Sequence, residues 1–199
     1  MFKRLLPLFA VLALSACVDT TGLSGDTSRT PHPGSNPNAA VVVQEWADLQ
    51  CPACRSAHEI IVKPLMETQG SRIRYEFKQF PLVSIHRYAL DAAEASECAA
   101  DQGKFWEFID LDYTEQEKLT KDIFEDWGKT IGIADIALFN RCIDSHIKRD
   151  MILDEYEAGR ALGVQGTPTF FVNGQKVDST LEAITTAIDT AIGAGANML

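Results

Sequence analysis

Positive charge is scarce in this chain. Its 199 residues carry 18 Lys and Arg against 28 Asp and Glu, a formal charge of −10, and that balance leaves no place for nucleic acid as a partner. No internal repeat and no glycine-rich nucleotide-binding pattern is present. The apolar run from Leu5 to Leu14 is too short to cross a bilayer as a helix. With 46% hydrophobic and 23% charged residues, the chain fits one globular domain with short appendages, and nothing indicates a second. Cysteine is sparse too, at five, but two of the five stand three residues apart.

The first sixteen residues combine Lys3 and Arg4, the Leu5 to Leu14 run and a small-residue end at Ser15-Ala16, the pattern of a secretory signal peptide. Leu14-Ser15-Ala16-Cys17 looks like a bacterial lipobox, implying cleavage before Cys17 and lipid on that cysteine. Acyl chains at about 0.8 kcal/mol per buried methylene would hold the protein on a membrane. An ordinary signal peptide followed by a chance cysteine is the alternative. Residues 17–38 then read as the lipidated cysteine and a flexible, disordered linker rich in Thr, Ser, Gly and Pro. Such a tether spans roughly 25 Å. His32, between Pro31 and Pro33, is expected to be solvated.

Val41 to Cys54, VVVQEWADLQCPAC, is the stretch that carries chemistry. The β-branched run predicts a buried strand, and Pro52 suits the first position of a helix. Cys51 becomes the N-cap, where amides of Ala53 and Cys54 and the helix dipole favour a thiolate. The thiolate is the reactive form of cysteine. Cys54 lies one turn in, about 5 to 6 Å away at Cβ, close enough for a bond after a slight distortion. Closing so short a loop stabilises the fold by only about 2 kcal/mol, which favours a redox pair over a staple. The competing readings are a zinc site, for which His58 offers one further ligand and nothing obvious another, and two inert thiols.

From Cys54 a helix is expected to about Gln69, kinked at Pro64, then a half-buried strand within Ser71 to Leu82 alternating Ile73, Tyr75, Phe77 with charged residues. Residues 84–163 are helical in pattern, with Asp135 placed to cap one helix. Phe170 to Val172 and Gln175 to Val177 flank Asn173-Gly174, a hairpin turn, and Leu181 to Ile192 closes the chain as an amphipathic helix. The fold class is α/β, β-α-β followed by β-β-α, with a helical block inserted between them and residues 39–199 forming one domain.

A strand, Cys-Pro-Ala-Cys at a helix start, a helical insert and Gly166-Thr167-Pro168 before a hairpin together resemble the DsbA-like thioredoxin-fold oxidoreductases over about Val41 to Ile192. The resemblance implies that Cys51 is the nucleophile, Cys54 its resolving partner and Pro168 a cis-proline facing them. Thr167 would pair its backbone with an extended substrate chain. Glu45 matches the buried acid of the family, able to take the proton of Cys54; an edge-exposed glutamate is the alternative. Ala53 departs from the histidine of the strongest oxidants. Cys98 and Cys142, left over from the motif and the lipid site, are expected to form a structural disulfide in an oxidising compartment, worth roughly 4 kcal/mol; two separate buried thiols are the alternative. The implied protein is a bacterial cell-envelope, membrane-anchored dithiol oxidase acting on reduced secreted or envelope proteins, without cofactor or metal. A quinone-linked membrane oxidase is the expected regenerating partner. A reductase or isomerase, and a metal- or peptide-binding lipoprotein, remain the alternatives.

Overall fold

In the computed structural model, residues 19–196 are described; the stretch on which the signal-peptide and lipid-site expectations fall, Cys17 included, lies outside them. The apolar run opens as β1 (Val41–Ala47), followed by α1 (Pro52–Ala57), α2 (Lys63–Gln69) and β2 (Ile73–Gln79). Five helices come next: α3 (Ala89–Ala100), α4 (Phe105–Glu115), α5 (Phe124–Thr130), α6 (Ile136–Ser145) and α7 (Arg149–Ala161). The chain then returns as β3 (Thr169–Val172), β4 (Gln175–Val177) and α8 (Leu181–Ala196). The strand order is β2-β1-β3-β4, with β1 parallel to β2 and antiparallel to β3. This is a thioredoxin-like sheet with a helical insert between β2 and β3.

Local chemistry explains the joints. Asn173 and Gly174 both take positive φ, at 46° and 78°, the conformation a tight hairpin turn requires, and Asn173 Oδ1 accepts the N–H of Val42 to tie the turn to β1. Asp135 caps α6 by accepting from the Leu138 N–H. The helix after the active-site cysteines is continuous, but its irregularity is a π-helical turn at His58–Val62, one turn before the expected kink at Pro64. Proline has no N–H for the carbonyl four residues earlier, so the strain is taken up by a widened turn on its N-terminal side. Among the described residues, no helix is long and apolar enough to cross a membrane.

The linker reading needs correction. Composition predicts a free tether up to Asn38, whereas the structure lays a strap across the edge strand β2 and the insert. Arg29 donates to Glu97 (2.6 Å), to Glu155 (2.8 Å) and to the Phe77 carbonyl (2.6 Å). Lys148 holds the Asp26 carbonyl at 2.6 Å. His32 is not solvated; it packs edge-on against Trp106 and Tyr75, ring centroids 4.6 and 5.6 Å away. At Gly70 no Cβ fits against the Gly34 carbonyl. A polar, proline-bearing segment is held here by buried charge and aromatic edges, which a search for apolar periodicity does not register.

The insert is pinned to itself by a bond between Cys98 on α3 and Cys142 on α6, Cα atoms 5.8 Å apart. Its aromatic residues Phe105, Phe108, Phe124, Trp127 and Phe139 are buried in one core with the sheet.

Candidate active site

The site grows from the end of β1. Asp48 follows the strand, and its carboxylate accepts from the Gln50 N–H (2.7 Å), the Leu82 N–H (2.8 Å) and His86 Nδ1 (2.7 Å). This side-chain turn carries the backbone round so that Cys51 falls at the N-cap of α1 with Pro52 at the first helical position. Gln116, just after α4, donates to the carbonyls of Leu49 (2.7 Å) and Cys51 (3.2 Å), so the insert grips the loop from the other side.

Both thiols are covered, Cys51 with 6% of its surface exposed and Cys54 with none, and they are present unbonded. Their environments differ. Cys51 Sγ lies 3.5 Å from the Thr167 carbonyl, on the loop whose Thr167–Pro168 peptide is cis. Its pKa is lowered to about 5, chiefly by the Cys54 thiol as a donor, with burial opposing and Thr167 and the amides of Cys54 and Ala53 adding to the effect. No capping hydrogen bond closes on the sulfur; the two amides act as nearby dipoles, a correction to the expected N-cap bonds. Burial pushes the Cys54 thiol well above the ordinary range, although the Asp48 N–H, 3.5 Å from its sulfur, works the other way.

Glu45 is 1% exposed, close enough to Cys54 for its charge to act on that thiol, and is not an edge glutamate. Tyr75 OH donates to its Oε2, while Oε1 is buried without a partner. Burial raises its pKa to about 7, with Tyr75 and His58 holding it down. His58 is committed to Asp110 at 2.8 Å. Among the described residues, no group of three or more His, Cys, Asp or Glu side chains is placed to hold a metal ion.

The structure therefore brings Cys51, Cys54, Glu45, Thr167 and Pro168 into one place. Cys98 and Cys142 lie apart in the insert, and Cys17 falls outside the described residues. Sequence reasoning missed Asp48, His86 and Gln116. Asp48, three residues before Cys51, carried a turn signal; His86 and Gln116 meet the loop only through the fold.

A strand-to-helix turn bearing two unlike thiols, faced by a cis-proline loop, defines a thioredoxin-fold dithiol protein. The chain matches the family described as Thioredoxin over residues 27–190. It is similar in structure to a thioredoxin-like oxidoreductase from Silicibacter pomeroyi DSS-3, with TM-score 0.71 and 24% identity over 81% of this chain and 94% of that one. It is also similar to the thiol-disulfide exchange protein alpha-DsbA2 of Wolbachia pipientis, with TM-score 0.66 and 25% identity over 79% and 84%. A stretch of 155 residues is 34% identical to the Na(+)/H(+) antiporter NhaA 3 of Salinispora tropica, covering 77% of this chain and 23% of that protein. The chain thus spans about a quarter of the length of the curated relatives it matches. The chain belongs to the thioredoxin family, and its fold is similar to that of DsbA proteins.

Proposed function

We propose that this protein is an extracytoplasmic dithiol oxidase that hands the Cys51–Cys54 disulfide to cysteines of secreted or envelope proteins. The observation that carries the reading is the asymmetry of the two thiols, Cys51 lowered to about 5 beside the Thr167 carbonyl and Cys54 buried and raised. A substrate thiolate attacks the Cys51 sulfur, the Cys51–Cys54 bond breaks, and Cys54 takes the electron pair. Its high proton affinity then calls for a proton, and Glu45 is the acid beneath it. A second substrate thiolate attacks the substrate sulfur of the mixed disulfide, and Cys51 leaves as the stable thiolate.

Thr167 and Pro168 border the Cys51 sulfur and suit an extended substrate segment laid alongside as an added strand. Val83 and Ile85 stand exposed on the loop whose Leu82 N–H is bound to Asp48, and their apolar side chains suit an unfolded chain. The signal-peptide pattern and Leu14-Ser15-Ala16-Cys17 support attachment to a membrane through lipid on Cys17. A quinone-linked membrane oxidase fits as the regenerating partner. Ala53, where the strongest oxidants carry histidine, is the feature that favours the reverse direction, reduction or isomerisation with the same thiols.

The test is which thiol holds the substrate. Cys54→Ala is expected to accumulate mixed disulfides on Cys51 in the cell envelope, and Cys51→Ala to abolish both exchange and trapping. Complexes held through Cys54 instead would overturn the mechanism.

A further inference from the structure

Along β2 the buried positions alternate as Ile73, Tyr75 and Phe77. Two are wholly apolar, and the middle one carries a hydroxyl into a site where the residue is 3% exposed. A phenylalanine would fill the same volume without a polar atom to satisfy. The hydroxyl has one partner, the Glu45 carboxylate. The ring is fixed from the far side, with His32 edge-on at 5.6 Å and Trp106 at 5.9 Å between centroids. Trp106 is itself held by its Nε1 donating to the Thr30 carbonyl at 2.9 Å. The strap therefore reaches the active site through a continuous line of contacts: Thr30 and His32, Trp106, Tyr75, Glu45.

We propose that Tyr75 is a positioning residue for Glu45, its hydroxyl holding Oε2 so that Oε1 is left free for the proton exchanged with Cys54. The assignment rests on the proton-carrier reading of Glu45 given above and deepens it. When the reduced pair is reoxidised, the Cys54 sulfur attacks the Cys51 sulfur of a mixed disulfide. The bond from Cys51 to the outgoing thiol breaks, the Cys51–Cys54 bond forms, the Cys54 proton passes to Glu45 and the outgoing sulfur leaves as thiolate. The rate of this step rises with pH as Glu45 ionises.

The groups that set that ionisation come from several elements. Burial raises the pKa of Glu45, while Tyr75 from β2 and His58 from the π-helical turn lower it. The charge of Glu45 acts on Cys54 of α1 and on Tyr113 of α4, and Asp112 is the neighbour of Tyr113 on the same helix, buried with it. In register on β3 stands Phe170, and the fully buried Ile184 and Ile188 of α8 are apolar. Tyr75 is the partner in direct hydrogen-bond contact, so its loss leaves burial less opposed.

The test uses the purified protein carrying glutathione on Cys51, with glutathione release followed by stopped flow from pH 5 to 9. The native chain is expected to show a midpoint near 7, and Glu45→Gln to lose that step. Tyr75→Phe should move the midpoint upward by about one to two pH units while the pH midpoint of Cys51 alkylation stays in place. An unmoved midpoint in Tyr75→Phe, with the step still absent in Glu45→Gln, overturns the role of Tyr75 and keeps that of Glu45. Retention of the step in Glu45→Gln overturns the proton-carrier reading. A shift of the Cys51 midpoint together with the first would mark a general disturbance of the helix and would also overturn the assignment.

Discussion

Replacing Arg29 by methionine tests the strap directly. The Arg29 side chain is 11% exposed, those of its partners Glu97 and Glu155 are 0% and 16% exposed, and the guanidinium carbon lies 5.1 Å from the centre of the Phe105 ring. These figures put the interaction in the buried regime rather than among surface ion pairs, which contribute about 0 to 1 kcal/mol. Without the arginine, Glu97 keeps only Thr27 (3.0 Å) and Gln79 (3.1 Å) as donors, and its charge is left uncompensated inside the protein. The Phe77 carbonyl also loses its donor. Breaking one side of a buried pair costs about 3 to 5 kcal/mol, which for a domain of this size corresponds to a drop of roughly 10 °C in Tm. Urea unfolding read by linear extrapolation gives the number, with an unchanged slope showing that stability and not compactness has moved. Adding Glu97→Gln to Arg29→Met should recover part of the loss, because the stranded charge is gone. A loss below about 1 kcal/mol would refute the reasoning and return residues 19–38 to a free tether.

The bond in the insert predicts that unfolded, unreduced Cys51→Ala/Cys54→Ala protein without Cys17 contains no free thiol by thiol counting; two would show that Cys98 and Cys142 are separate. Cys17→Ser should release the protein from the membrane fraction and leave purified dithiol oxidation unchanged, and a variant still membrane-bound at high salt would rule out the lipid anchor. The reduction potential of the Cys51–Cys54 pair should fall by about 59 mV per pH unit below pH 5, where reduction takes up two protons, and by about 30 mV above it, where Cys51 stays ionised. A single slope of about 59 mV up to pH 8 would show that Cys51 is an ordinary thiol.

The legible part of this chain is the part that repeats with a period or turns on a special residue. Val41 to Trp46, the alternation of Ile73, Tyr75 and Phe77, and Asn173-Gly174 each dictate backbone shape locally, and Cys-Pro-Ala-Cys dictates chemistry. Glu45 was legible only by resemblance, since a glutamate in a β-branched run reads equally as edge or core until the second sheet neighbour, β3, is in place. Composition mispredicts the strap because its cohesion is long-range. Arg29 pairs with residues 68 and 126 positions away, and no local composition encodes that. Asp48, His86 and Gln116 escaped for the same reason, since their partners lie on other elements. The sequence predicts a kink at Pro64, whereas the helix answers a missing N–H by widening the turn before it.

Ala53 removes a charge that the resemblance associates with strong oxidants, yet the Cys51 thiolate is well stabilised, by the Cys54 thiol first and by the Thr167 loop and helix amides after it. Such interactions act on an ionised sulfur and so favour the reduced protein over the disulfide, which carries no charge there. The sign follows from the depressed pKa. The stabilisation of the reduced form is fully present above the unfolded thiol value of about 8.5 and is lost as pH falls through about 5. Cys54 contributes in the opposite sense, because burial makes its thiolate costly and a leaving Cys54 must be protonated. In the proposed cycle Glu45 supplies that proton only below about 7. On the proposed mechanism, handing the disulfide to a substrate is therefore favoured between about 5 and about 7, where Cys51 is already a thiolate and Glu45 still holds its proton. Closing the pair again through Glu45, as proposed, needs its carboxylate and is favoured above that window, so one buried acid would give the two halves of the cycle opposite pH dependences.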